Sequence, residues 1–357
     1  MNSLNQQVSE ALNTRRGALA EQIVKHEFLR HPELEARYGK IGREKCLQDS
    51  GYHLSYLAQA ISADSPALFE NYIGWAKVML GKRGIPAADL EGLLGSMKAS
   101  LETELPPDLA SLACAYVDLV IGELPLMSDE IPTFIVDGTP HAPLAGQYLR
   151  ALLVGKRDVA NRLILDAVQH GTDVRELYLH VFQRTQYEIG RLWQVNQISV
   201  AQEHYCSAAT QLIMSQLYPY VFGKEKTRGT LVAACVSGDL HEIGVRMVSD
   251  FFEMDGWNTH YLGANVPAAS VVQTLIEQKA NVLAISATIS YHVAAVEVLI
   301  AAVRRSPECS GVKILVGGFP FKVEPDLWRK IGADGFAGDA EAAVALANRL
   351  TGAHLAA

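Results

Sequence analysis

The sequence predicts an α + α/β protein: an N-terminal all-α domain, a four-helix bundle, and a C-terminal open parallel sheet flanked by helices. Three observations carry this. Apolar residues recur at helical spacing through the first 125 residues, and four short helical segments fill 142–224. From about residue 229 short apolar runs alternate with amphipathic stretches. The boundaries that follow are 1–125, a linker at 126–141, 142–224, and 225–357.

In the first domain Phe69, Tyr72, Ile73, Ala76, Met79 and Leu80 share one helix face. Leu90, Leu93, Leu94, Met97 and Leu101 share another, as do Leu109, Leu112, Tyr116, Leu119 and Val120. Gly84 with Pro86, then Pro106-Pro107, separate these segments, and an earlier helix carries His53, Tyr56 and Leu57. About five helices are expected, in a globin-like arrangement. His53, Tyr56, Tyr72 and Trp75 either line a pocket for a planar chromophore, with His53 near a ring nitrogen or a metal, or are plain core. Aromatic residues at this spacing are more often core. Cys46 and Cys114 read as small buried hydrophobes rather than attachment points.

The linker 126–141 is rich in proline and contains Asp137-Gly138; Phe134-Ile135-Val136 is its one apolar run, suited to docking on a neighbouring domain. The bundle has breaks at Gly155, Gly171 and Val195-Asn196. Ser199 with Gln202 three residues on forms a capping box that starts its last helix.

Strands are expected at Thr230–Val236, Thr259–Leu262, Val282–Ser286, Lys313–Val316 and Gly335–Ala337. Five β-α repeats make a doubly wound sheet of flavodoxin/Rossmann-like type, whose ligands bind beyond the carboxyl ends of the strands. Three suggestive sites fall there. Asp239-Leu240-His241-Glu242-Ile243-Gly244 follows the first strand, Ser286-Ala287-Thr288 the third, and Gly317-Gly318 the fourth. A histidine offers a neutral imidazole nitrogen to a metal, and a carboxylate two residues away can hold its other N–H. Gly244 leaves room for a large planar ligand against the backbone. A solvated loop histidine beside a helix-capping Asp239 is the bland alternative, and the coincidence of three sites on one edge argues against it.

Composition narrows the function. The 357 residues suffice for two or three domains, and 49% hydrophobic with 20% charged residues describe an ordinary globular chain. A net charge of -8 speaks against a dedicated nucleic-acid surface. Residues 1–30 do not read as a signal peptide, and no apolar run is expected to reach the roughly 20 residues of a membrane span. The five cysteines are scattered and odd in number, which suggests neither a disulfide framework nor a zinc site and implies a cytoplasmic protein.

Together, D-x-H-x-x-G, the serine after the third strand and the Gly-Gly after the fourth resemble the cobalamin-binding domain of methionine synthases, mutases and corrinoid carriers, over about residues 225–352. The bundle resembles their helical cap. The resemblance implies base-off binding: His241 coordinates cobalt, Asp239 supports it, and the dimethylbenzimidazole tail runs past Ser286 and Gly317-Gly318. Thr288, where many relatives have Leu, is expected to alter tail packing only.

Trp193 is followed after nine residues by Glu203-His204, a W-x9-E-H pattern that resembles the cobalamin photoreceptors. The resemblance implies adenosylcobalamin, with Trp193 packed on the adenosyl group, Glu203 bonded to it, and His204 as the cobalt ligand once light breaks the cobalt–carbon bond. No DNA-binding helix-turn-helix precedes the bundle. The all-α domain in its place is similar to that of the photocobilins, which implies a bilin such as biliverdin beside the corrin, with His53 and Tyr72 as contacts. On this reading the chain is a light sensor and signalling protein, not an independent enzyme, acting through a light-dependent homo-oligomer or a separate effector, with no nucleic-acid or membrane partner.

Two alternatives share parts of this. A methyl-carrying corrinoid protein serving a methyltransferase has the same fold and His241 but no stated use for Trp193, Glu203 and His204. A haem or bilin sensor would act through His53. Elsewhere His260 is expected on a strand, Tyr291-His292 as surface or pocket wall, Arg304-Arg305 as a solvated helix end, and Trp328 in core or surface packing.

Overall fold

The computed structural model describes residues 3–223 and 225–352, which form two compact units. The first comprises residues up to 130 with 289–294 and 322–330; the second comprises the rest. The bundle and the sheet therefore belong to one unit, and two short segments of the sheet domain's loops cluster with the N-terminal helices.

The first unit is built on five helices: α1 (Ser3–Arg30), α2 (Glu33–Ser62), α3 (Pro66–Gly81), α4 (Ala87–Glu104) and α5 (Pro107–Glu123). Pro66 and Pro107 sit in first turns, where their missing N–H costs nothing. A kink divides α2 at Gly39, whose φ of 60° and ψ of -166° are non-helical. Most of the expected apolar positions are buried: Leu57 on α2, Phe69, Ile73 and Ala76 on α3, Leu94, Met97 and Leu101 on α4, Tyr116 and Val120 on α5; Leu119, expected on the α5 face, is 40% exposed. Each buried Leu, Ile, Phe or Met among them contributes about 1.5–3 kcal/mol by leaving water.

One expectation is corrected here. Among the described residues the stretch Pro107–Leu126 is long and apolar enough to cross a membrane by length and composition, with a mean hydropathy of 1.6. Its Ala113, Tyr116, Val117 and Val120 are buried inside the unit, the pattern of a core helix.

The second unit begins at Ile131, inside the linker; of its apolar run Phe134 and Val136 stay exposed and only Ile135 packs inward, on the bundle core. The Phe134 N–H and Thr133 hydroxyl donate to Glu188 at 2.8 and 3.0 Å. The bundle comprises α6 (Ala142–Leu153), α7 (Arg157–Gln169), α8 (Val174–Glu176), a π-helical turn at Leu177–Phe182, α9 (Gln183–Gln194), α10 (Val200–Gln216) and α11 (Tyr218–Val221). Gly155 and Gly171 adopt the positive φ that ends a helix, and Asn196 does the same at φ 61°. Ser199 and Gln202 form the capping box that starts α10. The π turn has no expectation behind it; nothing in its sequence announces it.

Five parallel strands follow: β1 (Thr230–Val236), β2 (Asn258–Val266), β3 (Val282–Ser286), β4 (Lys313–Gly317) and β5 (Gly335–Phe336), in the order β2-β1-β3-β4-β5. This is the flavodoxin-like order. His260 lies on β2, which runs longer than its sequence pattern suggested. The crossovers carry α12 (Ile243–Met254), α13 (Ala268–Glu277) and α14 (Val293–Arg305). Met247, Phe251 and Met254 of α12 join the bundle core, while Val245 and Phe252 join the sheet core, so one helix serves both layers. Arg304, beside Arg305, is an exposed helix end as expected. It pairs with Asp334 at 2.6 Å and donates to the Val312 carbonyl, stitching α14 to the β4–β5 edge.

Candidate functional site

The register places Cys235, Ser286 and Gly317 in one row across the carboxyl ends of β1, β3 and β4. Beyond that row the chain leaves β1 through Gly238, at φ 87° and held by the Asn265 side chain at 2.7 Å. The turn brings Asp239 and His241 to the sheet edge.

Asp239 is fully buried, and its carboxylate holds both His241 and the loop after β3. Oδ1 accepts from His241 Nδ1 at 2.7 Å and from the His241 backbone N–H at 3.0 Å; Oδ2 accepts from the Thr288 N–H at 2.5 Å. Asp239 is therefore no helix cap, since α12 starts after Glu242. With Nδ1 engaged, the His241 ring turns Nε2 outward, and its side chain remains 55% exposed. Asp239 raises the His241 pKa above its ordinary value, partial burial opposes this, and the Glu203 carboxylate adds a smaller upward push.

The glycines divide into two kinds. A Cβ at Gly244 would meet nothing within 4 Å, leaving the open ground a flat ligand needs against α12. Gly318 is different from its expected role. At φ 109°, a Cβ there would collide with the Ala287 carbonyl, so this glycine serves the close approach of the β3 and β4 loops rather than a channel. A Cβ at Gly317 would lie 3.4 Å from the Ala337 carbonyl, an ordinary contact. Thr288 also changes role: its backbone N–H fixes Asp239. The Cys235 thiol, next to Ser286 in the row, donates to the His241 carbonyl at 3.6 Å, and burial drives its pKa strongly upward.

On the bundle, His204 Nδ1 and Glu203 Oε2 are 2.5 Å apart at the start of α10. His204 is 75% exposed and Glu203 half-buried. Glu203 Oε1 accepts from Ser207, and a chain of bonds continues through Gln186 and Thr210 to Tyr148 in the bundle core. Trp193 stands at the end of α9, half-buried. The influence of Glu203 on His241 brings bundle and sheet edge to bear on the same space. Ser207, Gln186, Glu242, Gln211 and Tyr261 were not singled out by the sequence, because their partners lie on other elements.

In the first unit His53 and Tyr72 do meet. The Tyr72 hydroxyl lies 2.8 Å from His53 Nδ1, while Nε2 is buried with no hydrogen-bond partner. Burial lowers the His53 pKa to about 4, so the ring is neutral. Tyr56 and Tyr72 stack face to face at 3.5 Å, and Tyr291 packs edge-on against Tyr56. Tyr291-His292 is thus part of this buried cluster and not surface. Burial pushes the Cys46 and Cys114 thiols up to about 12 and about 11, which suits the hydrophobe reading. Among the described residues, no group of three or more His, Cys, Asp or Glu has metal-holding geometry, so a metal here would rest on His241 and on ligands of its own cofactor.

A parallel sheet with a histidine raised on a carboxylate at its carboxyl edge, beneath a helical cap, defines a cobalamin-binding protein, and the donor set and the open ground at Gly244 fit that group. A B12 binding domain family matches residues 229–347, and a second B12 binding domain family matches residues 144–218. The chain is 34% identical over 129 residues to dimethylamine corrinoid protein 3 of Methanosarcina acetivorans, covering 36% of this chain and 59% of that one. It is 30% identical over 123 residues to dimethylamine corrinoid protein 3 of Methanosarcina mazei, covering 34% and 72%. The monomethylamine corrinoid protein of Methanosarcina barkeri shares the fold, with a TM-score of 0.53 and 21% identity over 59% of this chain and 99% of that one. The chain belongs to the B12-binding corrinoid proteins. Matches to the first curated relatives span somewhat under three fifths of those relatives' length, 59% and 58%.

Proposed function

We propose that this chain holds a cobalamin base-off, with His241 Nε2 as the lower ligand of cobalt, and works as a corrinoid carrier of a methyl group. The observation behind it is the pairing of fully buried Asp239 with His241, which leaves Nε2 as the outward donor. When bound, the cofactor supplies a cobalt–carbon bond that can be broken by group transfer or by light. Asp239 fixes the tautomer of His241 and strengthens it as a donor. Ser286 and Gly317 line the strand ends past which a nucleotide tail would run. As a carrier the chain hands its group to a separate methyltransferase and is not an independent catalyst. The dimethylamine and monomethylamine corrinoid proteins it resembles support this over a sensory role.

A second reading, a light sensor, is favoured by one observation: the Glu203–His204 pair stands on the cap, and Glu203 acts electrostatically on His241. On this reading Trp193, Glu203 and His204 would hold adenosylcobalamin from the cap side, and the cofactor would supply a light-sensitive cobalt–carbon bond. The buried, unpaired Nε2 of His53, beside Tyr72, is then the feature that suits a bilin such as biliverdin. Output runs through a homo-oligomer or an effector protein.

One experiment separates the two. The protein is loaded in the dark with methylcobalamin, or with adenosylcobalamin and biliverdin, and spectra are taken before and after green light. Dark loss of the methyl group to an added methyltransferase and thiol acceptor supports the carrier. A single light-driven change that His204→Ala alters, with a red bilin band, supports the sensor.

A further inference from the structure

Glu242, Arg246 and Asp250 recur at four-residue intervals from the N-cap of α12 onward and therefore share one helix face. Each makes a polar contact with the cap. Glu242 Oε1 accepts from Gln211 Nε2 at 3.1 Å, and its Oε2 accepts from the Tyr261 hydroxyl of β2 at 2.8 Å. Arg246 donates to the Gln211 carbonyl at 3.1 Å and to Ser215 Oγ at 2.8 Å. Asp250 accepts from the Tyr178 hydroxyl at 2.8 Å. Arg246 and Asp250 are buried, where polar groups cost free energy that these bonds offset, although Arg246 Nε is left without a hydrogen-bond partner.

Apolar packing of Met247, Phe251 and Met254 would by itself hold α12 to the cap, but it is non-directional. The polar row adds register. Gln211 is held at both ends, side chain by Glu242 and carbonyl by Arg246, one helical turn apart. It lies on α10 two turns beyond Glu203, a rise of about 12 Å. Glu242 is the chain neighbour of His241. A hydrogen-bonded connection between the His241 loop and α10, the helix that carries Glu203 and His204, therefore runs through Glu242 and Gln211.

We infer that Glu242 is a positioning residue: through Gln211 it sets where α10, and with it Glu203 and His204, stands over the bound cofactor. The inference rests on the reading of His241 as lower ligand and of the bundle as the cover. Tyr261 steadies Glu242 from the sheet side, and a Cβ at Gly263 would come within 3.1 Å of the same carboxylate, so the position is closely fitted.

The test uses the full chain loaded with hydroxocobalamin in the dark and follows the rate at which added cyanide replaces the upper ligand. Gln211→Leu and Glu242→Gln should each speed replacement by about tenfold or more, and the double variant should be no faster than the faster single one. The absorption signature of histidine below the cobalt should persist in all three. Tyr261→Phe, which frees only the sheet side, should have a smaller effect in the same direction. Because Gln211→Leu leaves the sheet edge untouched, it reports on the cap even if Glu242→Gln unfolds the loop. Wild-type exchange rates in Gln211→Leu, or effects that multiply in the double variant, would overturn the inference. If instead the wild-type chain retains no cobalamin, or His241→Ala has the wild-type spectrum, the site reading has failed and not the positioning role.

Discussion

The carboxylate of Asp239 accepts the backbone N–H of Thr288 at 2.5 Å, tying the loop after β1 to the loop after β3 while its other oxygen holds His241. His241 is thus held through Asp239 by the loops of two strands and not by its own loop alone.

Removing that support should be felt without loss of the ligand. Asp239→Ala is expected to weaken cobalamin retention by about 10- to 100-fold, the usual effect of deleting a ligand's hydrogen-bond partner. Equilibrium dialysis of the variant measures it. Retention at the wild-type level would mean that Asp239 does not orient His241.

Two glycines should respond in opposite ways. Gly318→Ala forces a Cβ into the Ala287 carbonyl at φ 109° and should destabilise the fold by about 3 kcal/mol or more, read from urea midpoints. Gly244→Ala meets nothing within 4 Å and gains helix propensity. Its stability should match or exceed wild type by up to about 1 kcal/mol while cobalamin binding falls. Equal binding by Gly244→Ala would show that the cofactor does not lie there.

Asp250 gives a pH dependence. Burial raises its pKa from 3.8 to about 6, against the opposing Tyr178 bond and Arg246, with Glu253 adding to the rise. The folded chain then holds a proton between these values that the unfolded chain has released, so this group's contribution to stability falls as pH rises from about 4 to about 6. Asp250→Asn keeps an acceptor for Tyr178 and removes the titration. The stability of wild type relative to Asp250→Asn should fall across that window by on the order of 2 kcal/mol. A pH-independent difference would contradict it.

Much of this architecture was legible in residues. Gly155, Gly171 and Ser199 marked the bundle, and period changes near 229 marked the sheet, because these signals are local. Asp239 and His241 were legible because the pair is two residues apart. The Thr288 amide was not, since a backbone N–H carries no signature and its partner is 49 residues away. Gly318 was noticed for the wrong reason: the need for glycine is visible in sequence, but the Ala287 carbonyl that imposes it is visible only in the fold. Gln211 and Tyr261 looked like ordinary helix and strand residues until Glu242 brought them together.

The linker offers a further test away from the cofactor. Glu188 accepts from the Phe134 N–H, the Thr133 hydroxyl and Arg191, and these bonds hold its pKa below the ordinary value although burial opposes them. Glu188→Ala should cost about 2–3 kcal/mol and expose 131–137 to protease, because charge-assisted bonds are among the stronger ones. Unchanged cleavage would show that the linker is held by Ile135 packing alone.

The most direct test of the central claim is electron paramagnetic resonance of the chain loaded with reduced, paramagnetic cobalamin, prepared with ordinary and with 15N-labelled histidine. Coordination by His241 predicts that the nitrogen splitting changes from a triplet to a doublet on labelling and is lost in His241→Ala. A triplet that survives both labelling and substitution would mean the cofactor's own base remains on cobalt, and would contradict base-off binding.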